Sequence, residues 1–250
     1  MVSVKQKIWP SDLLSDEPEL ESNLHLEQII LLLTCLKWLW QDRNDFFAAG
    51  NMSIYYDLEK LRHRKFRGPD FFVVLNTERK DRNSWMVWEE NYQYPNLIVE
   101  ILSPKTARVD RGFKKILYQN TFKTQEYFWF DPKSLEFQGF KLTDGEYAKI
   151  EASLDGWFWS EELKLYLGLR ERKLRYFTPD GVLVPNFEEE TARQQREISV
   201  IQQRVELESQ RAELESQRAE LESQRAELES QRAQRFADQL RALGINPEEL

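Results

Sequence analysis

The chain has 250 residues, 41% hydrophobic and 13% aromatic, which is enough apolar material for one domain-sized core with an appendage. Its formal charge of -8 is unevenly spread: 15 acidic and 9 basic residues follow residue 185, leaving 28 and 26 before it, so the total does not exclude a local basic surface for nucleic acid. The single cysteine, Cys35, excludes a disulfide framework and a cysteine-rich metal site, and predicts a reducing, cytoplasmic compartment.

Residues 1–23 are polar and punctuated by proline, which predicts an irregular arm leading to a helix from Asn23 to Gln41. The strongest apolar run, "IILLLTCLKWLW" (29–40), is shorter than a membrane span, carries Lys37 and follows no basic segment of the signal-peptide kind. It reads as a buried helix, and no membrane association is expected. His25, in the first turns of this helix, reads as a surface or internally satisfied histidine rather than a ligand. A first strand is predicted from Phe47 to Tyr56, followed by the basic stretch "KLRHRKFRGPD" (60–70). The short apolar run "FFVVL" (71–75) predicts a buried strand, "NTERKDRNS" a loop, and "NLIVEIL" (96–102) a second clear strand.

After "SPKT", the spacing of Phe113, Ile116 and Leu117 predicts a helix from Val109 to Asn120, with Asp110 near its start, where negative charge suits the dipole. "EYFWF" (126–130) reads as another buried strand. Asp-Gly pairs at 144/145, 155/156 and 180/181 lie between hydrophobic segments and signal hairpins. The order helix, strands, helix, strand, hairpins predicts a layered α/β or α+β domain with a mixed sheet. After Phe187 the only aromatic residue is Phe236, so the core should end near residue 185, dividing the chain into a body (1–185) and a tail (186–250).

From Glu206 to Ala233 the tail repeats "ELESQRA" four times, a period of seven built from good helix formers. Placing Leu207, Leu214, Leu221 and Leu228 at d of a heptad puts Arg211, Arg218 and Arg225 at a, so a two-stranded seam is only half made. A coiled coil and a single solvated helix both fit. "RFADQLRALGINPEEL" regains an apolar stripe through Phe236, Leu240 and Leu243 that could cap or dock the helix.

One carboxylate interrupts the most apolar strand: Glu100 in "NLIVEILSP", where desolvating a charge is expensive. If 71–75 and 96–102 pair as an antiparallel hairpin, Asp70 and Glu100 come together. Two such acids repel unless a cation lies between them, and oxygen ligands with water suit Mg²⁺ or Mn²⁺, which would activate a water and neutralise a phosphate. Asp110, Lys114 and Tyr118 are spaced to share one helix face, and Lys114 is the candidate to stabilise a phosphoryl transition state or position the water. Residues 105–123 hold six basic residues and one acid, which with residues 60–67 would suit a phosphate backbone. Plainer readings stand beside these: Asp70 as a turn residue, Glu100 as the solvent-facing member of a strand, and Asp110–Lys114 as a surface ion pair.

"GPD" before a strand, "PNLIVEILSP", the spacing Asp110, Lys114, Tyr118 and then "EYFWFDP" together resemble the Uma-two family of endonuclease-like proteins, a branch of the PD-(D/E)XK superfamily. The resemblance covers roughly residues 15–185. It implies a restriction-endonuclease-like fold, α+β with a mixed sheet flanked by helices and here a long C-terminal helical extension. It implies divalent-metal-dependent hydrolysis of phosphodiesters, with DNA as the expected substrate. Carried over by position, Asp70 and Glu100 are metal ligands and the lysine comes from the following helix, Lys114 first and Lys115 second; the Ile101 carbonyl is a candidate third ligand beside them. The superfamily's lysine usually lies two residues after the acid, where this chain has Leu102. The chain also has "TFKTQEYF" where the family carries Gly-Val, and Phe128 where tryptophan is common. A non-catalytic nuclease-like module binding nucleic acid or protein is the alternative, and a homo-oligomer through the body or the C-terminal helix is compatible with either.

Overall fold

A computed structural model describes residues 13–15, 22–57 and 66–242. Most of the N-terminal arm, residues 60–65 of the basic stretch and the end of the chain with Leu243 lie outside the described residues, as does the side chain of Leu240. The chain divides into two compact units, Met1–Glu189 and Glu190–Leu250.

Helix α1 (Asn23–Leu39) starts at Ser22, whose hydroxyl accepts the His25 N–H and satisfies one of the donors that a helix start leaves orphaned. Its Ile29, Leu32, Cys35 and Leu36 are buried against the first unit's core. The strand predicted over 47–56 is in fact two, β1 (Phe46–Gly50) and β2 (Ile54–Tyr55), in different sheets. The strand ends where Asn51 turns at φ 47°, just after Gly50, whose missing Cβ admits the Ile29 side chain of α1: a Cβ there would lie 2.2 Å from it.

The remaining strands of the first unit are β3 (Phe66–Arg67), β4 (Phe71–Leu75), β5 (Trp85–Met86), β6 (Leu97–Ile101), β7 (Glu126–Phe130), β8 (Phe137–Thr143), β9 (Glu146–Lys149), β10 (Phe158–Ser160), β11 (Leu165–Arg170) and β12 (Lys173–Phe177). The central sheet has the order β1-β4-β6-β7-β8-β9, with β6 and β7 parallel and every other neighbour antiparallel. Two three-stranded sheets, β10-β11-β12 and β3-β2-β5, accompany it, so the fold is α+β with a mixed sheet. Leu97, Val99 and Ile101 point into the core that includes α1, while Ile98 and Leu102 point into the core on the other face. A strand covered on both faces reads as a continuous apolar run, which is why "LIVEIL" lacks alternation.

Parallel pairing of β6 with β7 needs a crossover, and residues 107–122 supply it as one helical stretch. Short α turns, α2 (Ala107–Val109) and α3 (Lys115–Leu117), alternate with wider π turns at Asp110–Lys114 and Tyr118–Phe122. The Asp144-Gly145 pair closes the β8–β9 hairpin with φ of 53° and 87°, as its sequence predicts. The β11–β12 hairpin instead turns at Glu171–Arg172, with φ of 51° and 62° at residues that carry no turn signature.

Helix α4 (Phe187–Ala242) begins with a reciprocal cap: the Glu189 N–H donates to Asn186 Oδ1 at 2.8 Å and the Asn186 N–H to Glu189 Oε2 at 2.9 Å. Arg175 of β12 grips the same Glu189 carboxylate at 2.6 Å and 2.9 Å. Further along, Leu207, Leu214, Leu221 and Leu228 are all more than half exposed. No described helix is long and apolar enough to cross a membrane.

Candidate active site

β4 and β6 pair antiparallel with Phe71 opposite Val99, so Asp70, just before β4, comes to the Glu100 end of β6. The Ile101 N–H donates to Asp70 Oδ2 at 2.6 Å, and the Asp70 N–H reaches Glu100 Oε2 at 3.4 Å. Glu100 is 0% exposed. Its Oε1 accepts the Tyr118 hydroxyl at 2.8 Å and its Oε2 accepts Lys114 Nζ at 3.0 Å. Lys114 Nζ also lies 2.9 Å from Oδ1 of Asp110, which is itself fully buried rather than a surface partner.

The crossover helix makes this convergence possible. In a regular α-helix, residues four apart drift by about 40° per step, so Asp110, Lys114 and Tyr118 would fan across roughly 80°. Wider π turns hold more residues per turn and offset that drift, which keeps all three on the face toward Glu100. The Tyr127 hydroxyl fixes the same turn by donating to the Asp110 carbonyl at 2.9 Å. Lys115 faces elsewhere: its ammonium lies 3.5 Å from the centre of the Phe140 ring, in a cation–π contact.

Burial pushes the Glu100 carboxyl well above the usual carboxylate range, opposed by Lys114 and the Tyr118 hydroxyl and reinforced by Asp70 and Asp110. Burial also raises Asp110 against the pull of Lys114. For Lys114 burial works against the charge, but Glu100, Asp110 and Asp70 outweigh it and hold the ammonium protonated. Three acidic side chains therefore share the surroundings of one lysine.

Among the described residues no three His, Cys, Asp or Glu side chains are grouped as a metal site. A hard ion such as Mg²⁺ commonly takes only one or two carboxylates, completing its shell with water and phosphate. Asp70 and Glu100, converging from adjacent strands in a carboxylate-rich cluster, fit that donor chemistry.

His25 is internally satisfied, one of the two forms expected of it, and its partner is Asp70. Its Nε2 lies 2.9 Å from Asp70 Oδ1, and the residue is 5% exposed. A signal for it existed: His25, Ile29, Leu32 and Leu36 follow the i, i+4, i+7, i+11 pattern of a helix's buried stripe. A pocket of about 250 Å³ opens beside the pair, lined in part by His25, Ile101 and Lys105.

Residues 16–175, a stretch that includes Asp70, Glu100 and Lys114, match the family Uma2, described as "Putative restriction endonuclease". Among solved structures, one similar to this chain is the crystal structure of "a putative nuclease belonging to DUF820 from Anabaena variabilis ATCC 29413". It is 14% identical, with 59% of this chain and 76% of that chain covered and a TM-score of 0.42. No curated protein matches the sequence. The family match spans more than half of the chain, from before α1 into β12, and the protein belongs to the Uma2 family.

Proposed function

We propose that the protein is a divalent-metal-dependent endonuclease that hydrolyses phosphodiester bonds in nucleic acid, with DNA as the expected substrate. Residues 1–185 form the restriction-endonuclease-like domain in this reading, and 186–250 a charged helical appendage. The observation that carries it is Glu100, wholly buried yet set beside Asp70 by strand pairing and held by Lys114.

Asp70 and Glu100 would hold the Mg²⁺ or Mn²⁺ ion, with the Ile101 carbonyl as a further ligand. The Ile101 N–H already points at Asp70, and in a paired strand a residue's N–H and C=O face the same neighbour. When bound, the ion supplies Lewis-acid neutralisation of the phosphate and a more acidic water. Lys114, held protonated, acts as a hydrogen-bond donor rather than a base. Two of its three N–H groups serve Glu100 and Asp110, leaving the third to orient the attacking water or a phosphate oxygen in line with the departing 3′ oxygen. Asp110 and Tyr118 position Lys114 and Glu100, and His25 positions Asp70.

Purified protein with Mg²⁺ or Mn²⁺ should nick plasmid DNA, and Glu100→Ala should abolish the nicking. Nicking that survives Glu100→Ala would sink the assignment of this site.

One observation favours the second reading, a non-catalytic interaction module. Both oxygens of Asp70 and of Glu100 already have partners within the chain, so the cluster can join strand to helix without an ion. Thermal unfolding separates the readings: added Mg²⁺ should raise the melting temperature of the wild type but not of Asp70→Asn. An absent shift supports the module. The regularly spaced exposed leucines of α4 suggest that this helix joins copies of the chain, and removing residues 190–250 should then lower the particle mass in solution to that of one body. The lone buried Cys35 suits a cytoplasmic location.

A further inference from the structure

We propose that the pocket beside Asp70 receives one unpaired nucleotide, so that the substrate is engaged as a single strand or a frayed end. The proposal rests on the nuclease reading above and specifies its substrate class. The pocket lies past the carboxyl ends of β6 and β7, the two parallel strands, where open mixed sheets leave a natural crevice. His25 and Ile101 line the pocket and also touch Asp70, so a group seated there would place its neighbouring phosphate at the proposed catalytic residues.

Size and lining narrow the occupant. About 250 Å³ falls below the roughly 300 Å³ at which drug-sized pockets begin, too little for a stacked pair of bases or for a duplex. Leu24, Pro104 and Pro132 offer apolar surfaces suited to the face of a base, while Lys105 and Lys133 border the same cavity with charge suited to the flanking phosphates. A second depression of about 410 Å³ shares Leu24, Pro132 and Lys133 with the first and adds Arg172 and Lys173, alongside Glu27 and Glu171. The trough thus continues from the first pocket toward the β11–β12 turn. A base within a duplex could enter only by flipping out, at a cost of a few kcal/mol that a single strand avoids.

The test compares binding of a labelled single-stranded oligonucleotide and of its duplex to the full chain without divalent metal, followed by cleavage of both with Mn²⁺. The wild type should bind and cut the single strand at least about tenfold better, in keeping with the contribution of one well-seated base. Leu24→Glu places a negative charge in the pocket at a helix start that tolerates it, and should remove this preference while keeping the metal-induced thermal shift. Lys105→Ala with Lys133→Ala should weaken single-strand binding and reduce its salt dependence by about 1.4 in logarithmic slope, the value for two phosphate contacts. A wild type that cuts duplex as well as single strand, with Glu100 still required, overturns this inference alone, as does a preference that survives Leu24→Glu. A wild type that neither binds nor cuts nucleic acid overturns both this inference and the nuclease reading.

Discussion

Glu100 and Glu126 are buried glutamates on the adjacent parallel strands β6 and β7, at opposite ends of the pairing: Glu100 sits across from Trp129 and Glu126 across from Leu97. Burial raises both carboxyls. Their surroundings differ. Glu126 accepts hydrogen bonds from the Ser160 hydroxyl and, at 2.6 Å, from the Glu161 N–H, while Ser160 also accepts the Leu163 N–H at 3.0 Å. These neutral donors favour the ionised form and so oppose the effect of burial, and they tie the β10–β11 turn to the central sheet. Glu100 also accepts a neutral donor, the Tyr118 hydroxyl, but unlike Glu126 it faces a lysine and two further acidic groups. Burial alone therefore does not set the two glutamates apart, whereas the charge of their partners does.

The largest test of that contrast is activity. Glu100→Gln should reduce Mn²⁺-dependent plasmid nicking by about 10³-fold, within the range for loss of a principal electrostatic group, while Glu126→Gln should cut at the wild-type rate. Equal loss in both variants would erase the distinction. Next, Lys114→Met leaves Glu100 and Asp110 buried without their cation and should lower unfolding stability by about 3–5 kcal/mol in urea titrations.

The setting of Glu126 should reveal itself in pH dependence. Folding pushes Glu126 up from 4.5 to about 7, so the folded state holds this proton more tightly than the unfolded chain. Its contribution is then full below pH 4.5 and is lost as pH rises to about 7, a change of roughly 3 kcal/mol that Glu126→Gln should remove from the stability curve. The smallest effect belongs to Ser160→Ala, which removes a donor that favours the ionised carboxylate. It should cost about 1 kcal/mol and move the falling limb of the curve to higher pH, as read by thermal unfolding across that range.

Much of the framework was legible because it rests on local patterns. "FFVVL" and "LIVEI" are short apolar runs, Asp144-Gly145 has the backbone freedom a two-residue hairpin needs, and the seven-residue repeat of good helix formers makes one long helix. The nearness of Asp70 to Glu100 followed from one assumption, antiparallel pairing of two neighbouring strands, and that pairing is present. The misses share a different origin. The break comes at Asn51, which turns at positive φ, beside a Gly50 packed against Ile29 of α1, a contact between segments that periodicity does not register. Glu171–Arg172 turns the β11–β12 hairpin although neither residue favours positive φ, because pairing of the two strands imposes it. His25 is internally satisfied, one of the two forms its sequence context predicts, but its partner Asp70 was not legible because the pair joins residues 45 positions apart.

The order of elements along the chain, the place of one acid in an apolar run and the spacing of Asp110, Lys114 and Tyr118 were all written in the linear chain, because each is a local pattern of residue type or of helical spacing. Which lysine approaches Glu100 was decided in three dimensions. The π turns rotate Lys114 toward the sheet while Lys115 settles over Phe140, and neighbouring lysines in one sequence thus enter opposite environments. Helical phase depends on how the helix packs on the sheet, and that information exists only once both have formed.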